Sequence, residues 1–191
     1  MARPRLPLPH LTERLVLRPP TPQDAPAIHQ AVEETLEALQ RWMPWAAQPP
    51  PFEQTLEYLA GAAQRFEAGE DFPALAFLRA SGAFVLGSGL HPRNWDVPKF
   101  EIGYWCRQSM QGQGYTTEAV RALTALAFGP MGAERVEIRS DARNGRSRGV
   151  AERAGYRLEA ILRNDDRAND GSLRDTLVYV RLRADVEGRG A

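Results

Sequence analysis

Glu13–Arg18 (ERLVLR) alternates apolar and polar residues, and that period of two predicts a half-buried strand. A turn follows at PPTPQDAP, where Thr21 or Asp24 can cap the next element. From Ala25 to Gln40 the period changes: Ile28, Val32, Leu36 and Leu39 share one helical face. A proline-rich loop, RWMPWAAQPPPFEQ, carries Trp42 and Trp45, and Thr55–Ala68 reads as a second helix closed by Gly69. Ala74–Arg79 and Ala83–Leu90 flank Ser81-Gly82 and read as a hairpin, with Phe100–Arg107 (FEIGYWCR) as the next strand. Glu118–Gly129 is an amphipathic helix, Arg135–Ser140 a strand, and Arg146–Ala154 a helix stopped by Gly155. Tyr156–Leu162 and Thr176–Leu182 are the last strands. Antiparallel hairpins followed by a strand–helix–strand unit predict an α/β (α+β) fold: one mixed, mostly antiparallel sheet of about seven strands, with helices on both faces. No linker interrupts the pattern, so residues 1–191 are expected to form a single domain.

Composition narrows the function classes. The 191 residues carry 24 basic and 24 acidic side chains, a net charge of zero. That excludes a nucleic-acid coat or a polybasic membrane binder. One cysteine, Cys106, cannot form an internal disulfide or a thiolate metal site. His10, His29 and His91 lack metal-ligand spacing, so no metal is expected. The basic N-terminus is broken by Pro4, Pro7 and Pro9 and is no secretory signal. With no 18-residue apolar run, no membrane span is expected, and the cytoplasm is the expected location.

Glu101–Ala119 (EIGYWCRQSMQGQGYTTEA) is the most informative stretch. A strand ends, Gly112 and Gly114 follow, and a helix starts near Thr116. Glycine permits positive φ and close backbone approach, and a helix N-terminus offers unpaired N–H groups and partial positive charge. Together they form an anion site suited to phosphate; the same glycines also suit a plain tight turn. A Walker loop is excluded because Lys99 is the only lysine, and a Rossmann loop needs three glycines after an early strand.

Gln111-Gly112-Gln113-Gly114-Tyr115-Thr116 resembles the pyrophosphate loop of the GNAT acyltransferases, Gln/Arg-x-x-Gly-x-Gly/Ala, with Thr116 at the last position. Six ordered segments carry the resemblance along nearly the whole chain: TERLVLRPPTPQDA (12–25), LQRWMPWA (39–46), LGSGLHPRNW (86–95), FEIGYW (100–105), NGRSRGVAERAGY (144–156) and RDTLVYVRL (174–182). They are similar to the branch of ribosomal-protein N-terminal acetyltransferases. The resemblance implies acetyl-coenzyme A as co-substrate, direct transfer to an amine, and a cleft where the strand of residues 100–107 splays from that of 135–140.

It also implies roles. Gln111, Gly112, Gln113, Gly114, Tyr115 and Thr116 would hold the pyrophosphate, and Trp105, Cys106 and Arg107 would offer backbone groups to the pantetheine arm. Asn144 would lie beside that arm. Ser147 would protonate the departing thiolate, although a capping role suits it too. Cys106 has no assignable histidine partner and is not expected to be a nucleophile. Two carboxylates compete as base. Glu101 shares a face with Gly103 and Trp105, where it can also form an ion pair with Arg107 or Arg139. Asp166 lies in the segment RNDDRAND, read as a solvated loop. Trp42 and Trp45 are expected to wall the acceptor pocket or to anchor the N-terminal helices. Arg143, Arg146 and Arg148 are expected near the adenosine phosphate or on a solvated face.

Three acceptor readings follow: the N-terminal amine of a ribosomal protein or other peptide, a small amine such as an amino acid, polyamine or antibiotic, or none, in a coenzyme A binding module. A homodimer is one assembly the resemblance allows. The zero net charge is a cancellation: residues 22–72 carry −7 and residues 143–157 carry +4. A basic side suits the anionic cofactor, and an acidic side suits a cationic amine or basic peptide.

Overall fold

The computed structural model describes residues 4–187. The strands are β1 (His10–Leu11), β2 (Leu15–Arg18), β3 (Phe72–Leu78), β4 (Phe84–Asn94), β5 (Lys99–Cys106), β6 (Arg135–Asp141), β7 (Arg157–Arg167) and β8 (Leu173–Leu182). The helices are α1 (Ala25–Trp42), α2 (Phe52–Ala68), α3 (Tyr115–Phe128), α4 (Gly145–Arg153) and α5 (Arg183–Glu187). All strands join one sheet in the order β1-β2-β3-β4-β5-β6-β8-β7. It has eight strands against the seven expected; the extra one is the two-residue β1 on the β2 edge. Among the described residues only β5 and β6 run parallel, as the intervening α3 crossover requires. No helix among the described residues is long and apolar enough to cross a membrane.

The alternating pattern sorts the strands onto two cores. Leu15, Leu17, Phe72, Phe100 and Ile102 face α3 and α4, where Val120, Leu123 and Ala151 meet them. Leu75, Phe77 and Phe84 face α1 and α2, against Ile28, Val32 and Leu59. Burying this apolar area against helices on both sides is what holds the sheet.

Several element boundaries differ from expectation, and two of them bear on the site. The α1 helix runs on to Trp42, so this residue ends a helix instead of starting a loop. The segment RNDDRAND is not a loop up to Arg167: β7 continues through it, with Asp166 in register with Arg174 and a bulge beyond Leu162. Local propensity disfavours aspartate in a strand. On the outermost strand, however, one backbone edge meets water and charged residues suit that edge.

Candidate active site

The parallel pairing of β5 with β6 lasts for three registers, Lys99 with Arg135, Phe100 with Val136, and Glu101 with Glu137. Beyond Glu101 the strands part, which is the splayed cleft anticipated from the sequence. β5 keeps its ladder with β4 as far as Cys106. Because Arg107 donates its N–H to Val85 O (2.9 Å), residues of the same parity, Trp105 included, turn their peptide groups toward β4. Of Trp105, Cys106 and Arg107, only Cys106 therefore turns its peptide toward the gap. Its carbonyl accepts from Gln111 Nε2 at 3.1 Å.

The loop after β5 is anchored from both sides. Glu34 on α1 accepts from Arg107 Nε and from Ser109 N–H, both at 2.6 Å, and Thr35 Oγ1 accepts from Gln108 N–H at 3.0 Å. From β2's side, the Arg14 guanidinium donates to Gln113 O (2.9 Å) and Glu118 (2.7 Å) and lies 4.5 Å over the Tyr115 ring. Gly112 and Gly114 adopt φ of +76° and +81°. A side chain in that region is strained. Gly114 caps the N-terminus of α3, whose first amides have no partner within the helix. Arg146 donates to Gln111 Oε1 at 2.7 Å, an uncharged partner, so its charge stays with the loop. Arg143 and Arg148, by contrast, are held by Asp141 and Glu152. Glycines, open helix amides and a cation at one strand end fit a pyrophosphate group.

Across the cleft, Asn144 caps α4: its Oδ1 accepts from Ser147 N–H at 3.0 Å. Capping is thus the asparagine's task, and the Ser147 hydroxyl is released for another. Tyr104 meets that hydroxyl. Its phenol donates to Ser147 O at 3.1 Å and shares a second hydrogen bond with Ser147 Oγ, also 3.1 Å. Burial pushes the Tyr104 phenol up to about 12, against the opposing pull of the Ser147 bond, so it stays protonated. Sequence reading missed this residue because a tyrosine on the core face of a strand looks like packing. Cys106 is half-buried, and burial raises its thiol despite a hydrogen bond from Thr116, which disfavours the thiolate.

The candidate carboxylates are both occupied. Glu101 lies on the α1/α2 face with Gly103 and Trp105, and pairs with Arg93 at 3.1 Å. Neither Arg107, taken by Glu34, nor Arg139, taken by Asp165, is its partner. Asp166 pairs with Arg174 at 2.6 Å on β7, separated from β6 by β8. The Arg167 amide and then Arg174 hold Asp166 below the usual carboxylate range.

Trp42 and Trp45 are not core anchors. Trp42 is half-buried with the Arg41 guanidinium 4.7 Å over its ring, and Trp45 is exposed, 6.2 Å from Trp105. A groove of about 250 Å³ runs between Gln40, Arg41 and Trp42 and the β7–β8 connection, Ala168 to Asp170. Asn169 ties that connection to α1, donating to Gln40 O (2.6 Å) and Met43 O (2.9 Å). A larger groove, about 360 Å³, lies between α3, β8 and α5 and shares no lining residue with the cleft.

Comparison with known proteins agrees with this geometry. Residues 14–157 match the family described as acetyltransferase (GNAT) domain. The chain is 29% identical over 180 residues to "Putative ribosomal N-acetyltransferase YdaF" of Bacillus subtilis, covering 94% of each. Among solved structures it resembles the ribosomal L7/L12 alpha-N-protein acetyltransferase RimL in complex with coenzyme A, with TM-score 0.85, 24% identity, and 93% and 98% of the two chains covered. It also resembles the microcin C7 self-immunity acetyltransferase MccE in complex with acetyl-CoA and AMP, with TM-score 0.83, 18% identity, and 93% and 98% covered. This chain belongs to the GNAT acetyltransferase family. Its class of enzyme is N-acetyltransferase.

Proposed function

We propose that residues 1–191 form one catalytic domain that transfers an acetyl group from acetyl-coenzyme A directly to the N-terminal amine of a protein, of the ribosomal kind, in the cytoplasm. The observation that carries the reading is the parting of β5 from β6 beyond Glu101, between the glycine loop and the Ser147–Tyr104 pair. Acetyl-coenzyme A supplies the acetyl group as an activated thioester. Gly112, Gly114 and the first amides of α3 would hold its pyrophosphate, with Gln111 and Arg146 beside them. The Cys106 peptide would face its arm. Ser147 would give up its hydroxyl proton to the departing thiolate, and the protonated Tyr104 would restore it by turning its one hydrogen from Ser147 O to Oγ. Glu101 supplies negative charge on the face where a cationic acceptor would enter. Trp42 and Trp45 would border that entry. The similarity to a protein named as a ribosomal N-acetyltransferase supports the acceptor class.

The test is release of free thiol from acetyl-coenzyme A in the presence of ribosomal N-terminal peptides and of small amines. Release with the peptides, together with a 42 Da loss on a ribosomal protein from a deletion strain (about one acetyl group), is expected. Release with small amines only would replace the acceptor. Binding with no release from any amine would make the chain a binding module.

A further inference from the structure

Glu101 and Asp166 are the carboxylates that compete as base. On the acceptor face the structure offers another group. His91, on β4, stands in register with Glu101 on β5 and shares its side of the sheet. Its Nδ1 is 2.7 Å from Oδ1 of Asp71, at the start of β3. We propose that His91, oriented by Asp71, is the group that takes the proton from the incoming ammonium, on the reading of this site as an acetyl-transfer centre.

Three observations carry this. The first is position. The imidazole lies over Gly89 and Gly103, and Gly103 is just beyond the last β5–β6 pair, where the cleft opens. A Cβ on Gly89 would come 2.6 Å from Cε1 and 2.7 Å from Nε2, so the ring can rest on the strand backbone only because glycine stands beneath it. The second is the tautomer. Burial opposes ionisation of Asp71, but the His91 hydrogen bond and the charges of His91 and Arg65 outweigh it and hold the carboxylate below its ordinary range. An ionised carboxylate only accepts, so Nδ1 carries a hydrogen, and in the neutral imidazole this leaves the lone pair on Nε2. Nε2 makes no hydrogen bond among the described residues. The third is competition. Glu101 holds Arg93, and Asp166 holds Arg174. Among the described residues, other titratable groups on this side include Arg65 and Tyr58 of α2, which interact with Asp71, and Glu137, in register with Glu101.

The step balances. Nε2 accepts one proton from R–NH3+ and passes it to solvent. The nitrogen lone pair forms the C–N bond to the acetyl carbonyl and the C–S bond breaks. The second proton lost from nitrogen offsets the one that the leaving thiolate takes through the Ser147–Tyr104 pair. Amide, coenzyme A thiol and one free proton result.

The test uses the full chain with acetyl-coenzyme A and the amine identified by thiol release. His91→Gln is expected to lower kcat/KM about 100-fold near pH 7. The deficit should close above about pH 9, where an α-amino group with pKa near 8 is already neutral. Acetyl-coenzyme A affinity measured by calorimetry should stay within about twofold of wild type, since a base is not a cofactor anchor. Asp71→Asn should lose about tenfold, again mainly at low pH, with recovery in Asp71→Glu. Nitrogen NMR of the unliganded wild-type protein above pH 8 should show Nδ1 protonated and Nε2 bare, which keeps the proposal open to refutation even if a variant fails to fold. Equal rates for wild type and His91→Gln from pH 6.5 to 9, a deficit that does not change with pH, or a proton on Nε2 overturns the assignment. If the wild type itself binds acetyl-coenzyme A and releases no thiol with any amine, the acetyl-transfer reading fails first and the base falls with it.

Discussion

A serine, an asparagine and a tyrosine share a task that sequence alone leaves with the serine. Asn144 caps α4, and this frees the Ser147 hydroxyl to meet Tyr104. The Asn-x-x-Ser spacing was legible because a cap and the residue three positions on are local. Tyr104 was not, since it lies 43 residues from Ser147. At this scale the loop glycines make the firmest prediction. Gly114 has φ of +81°, and a Cβ there would point toward the Arg14 guanidinium at 3.5 Å. Gly114→Glu therefore adds backbone strain of about 1–2 kcal/mol and a negative charge at an anion site. Loss of acetyl-coenzyme A binding by calorimetry, with the fold retained by circular dichroism, is the expected result.

Among the elements, periodicity located α1 and α3 because their apolar faces repeat at helical spacing. β7 was cut short, because its ladder partner rather than its own aspartates extends it. That extension matters for the site: it brings the β7–β8 connection to the end of α1, where Asn169 makes two hydrogen bonds to backbone carbonyls. Asn169→Ala removes both, each worth on the order of 1 kcal/mol. We expect KM for the amine to rise severalfold with acetyl-coenzyme A affinity unchanged, as steady-state kinetics in each substrate will report. Equal changes in both would place the connection outside the acceptor entry.

For the whole molecule, the charge pattern gains partners. Glu34, from the acidic stretch, fastens the loop after β5, and Glu118 accepts from Thr12 and from the backbone and side chain of Arg14. Burial opposes ionisation of Asp24, Glu34, Glu118 and Asp141. Their hydrogen bonds to amides, hydroxyls and arginines outweigh it and lower all four. A carboxylate with a depressed folded-state pKa adds stability above its unfolded value and loses it as pH falls through the folded one. Thermal denaturation should thus give a nearly constant Tm from pH 6 to 8 and a fall below about pH 4.5. Glu34→Gln should shallow that fall, and it should also loosen acetyl-coenzyme A binding by freeing the loop.

The sequence by itself determined the order of elements, the glycine loop and the family, since these rest on local periodicity, backbone freedom and motif order. Only the tertiary structure decided where each charge ends. It gave Glu101 to Arg93, Asp166 to Arg174 and Asp71 to His91. Those pairings depend on strand register and on chains crossing in space. No spacing along the chain encodes them, and the pairing of His91 with Asp71, on which the proposed base rests, is one of these.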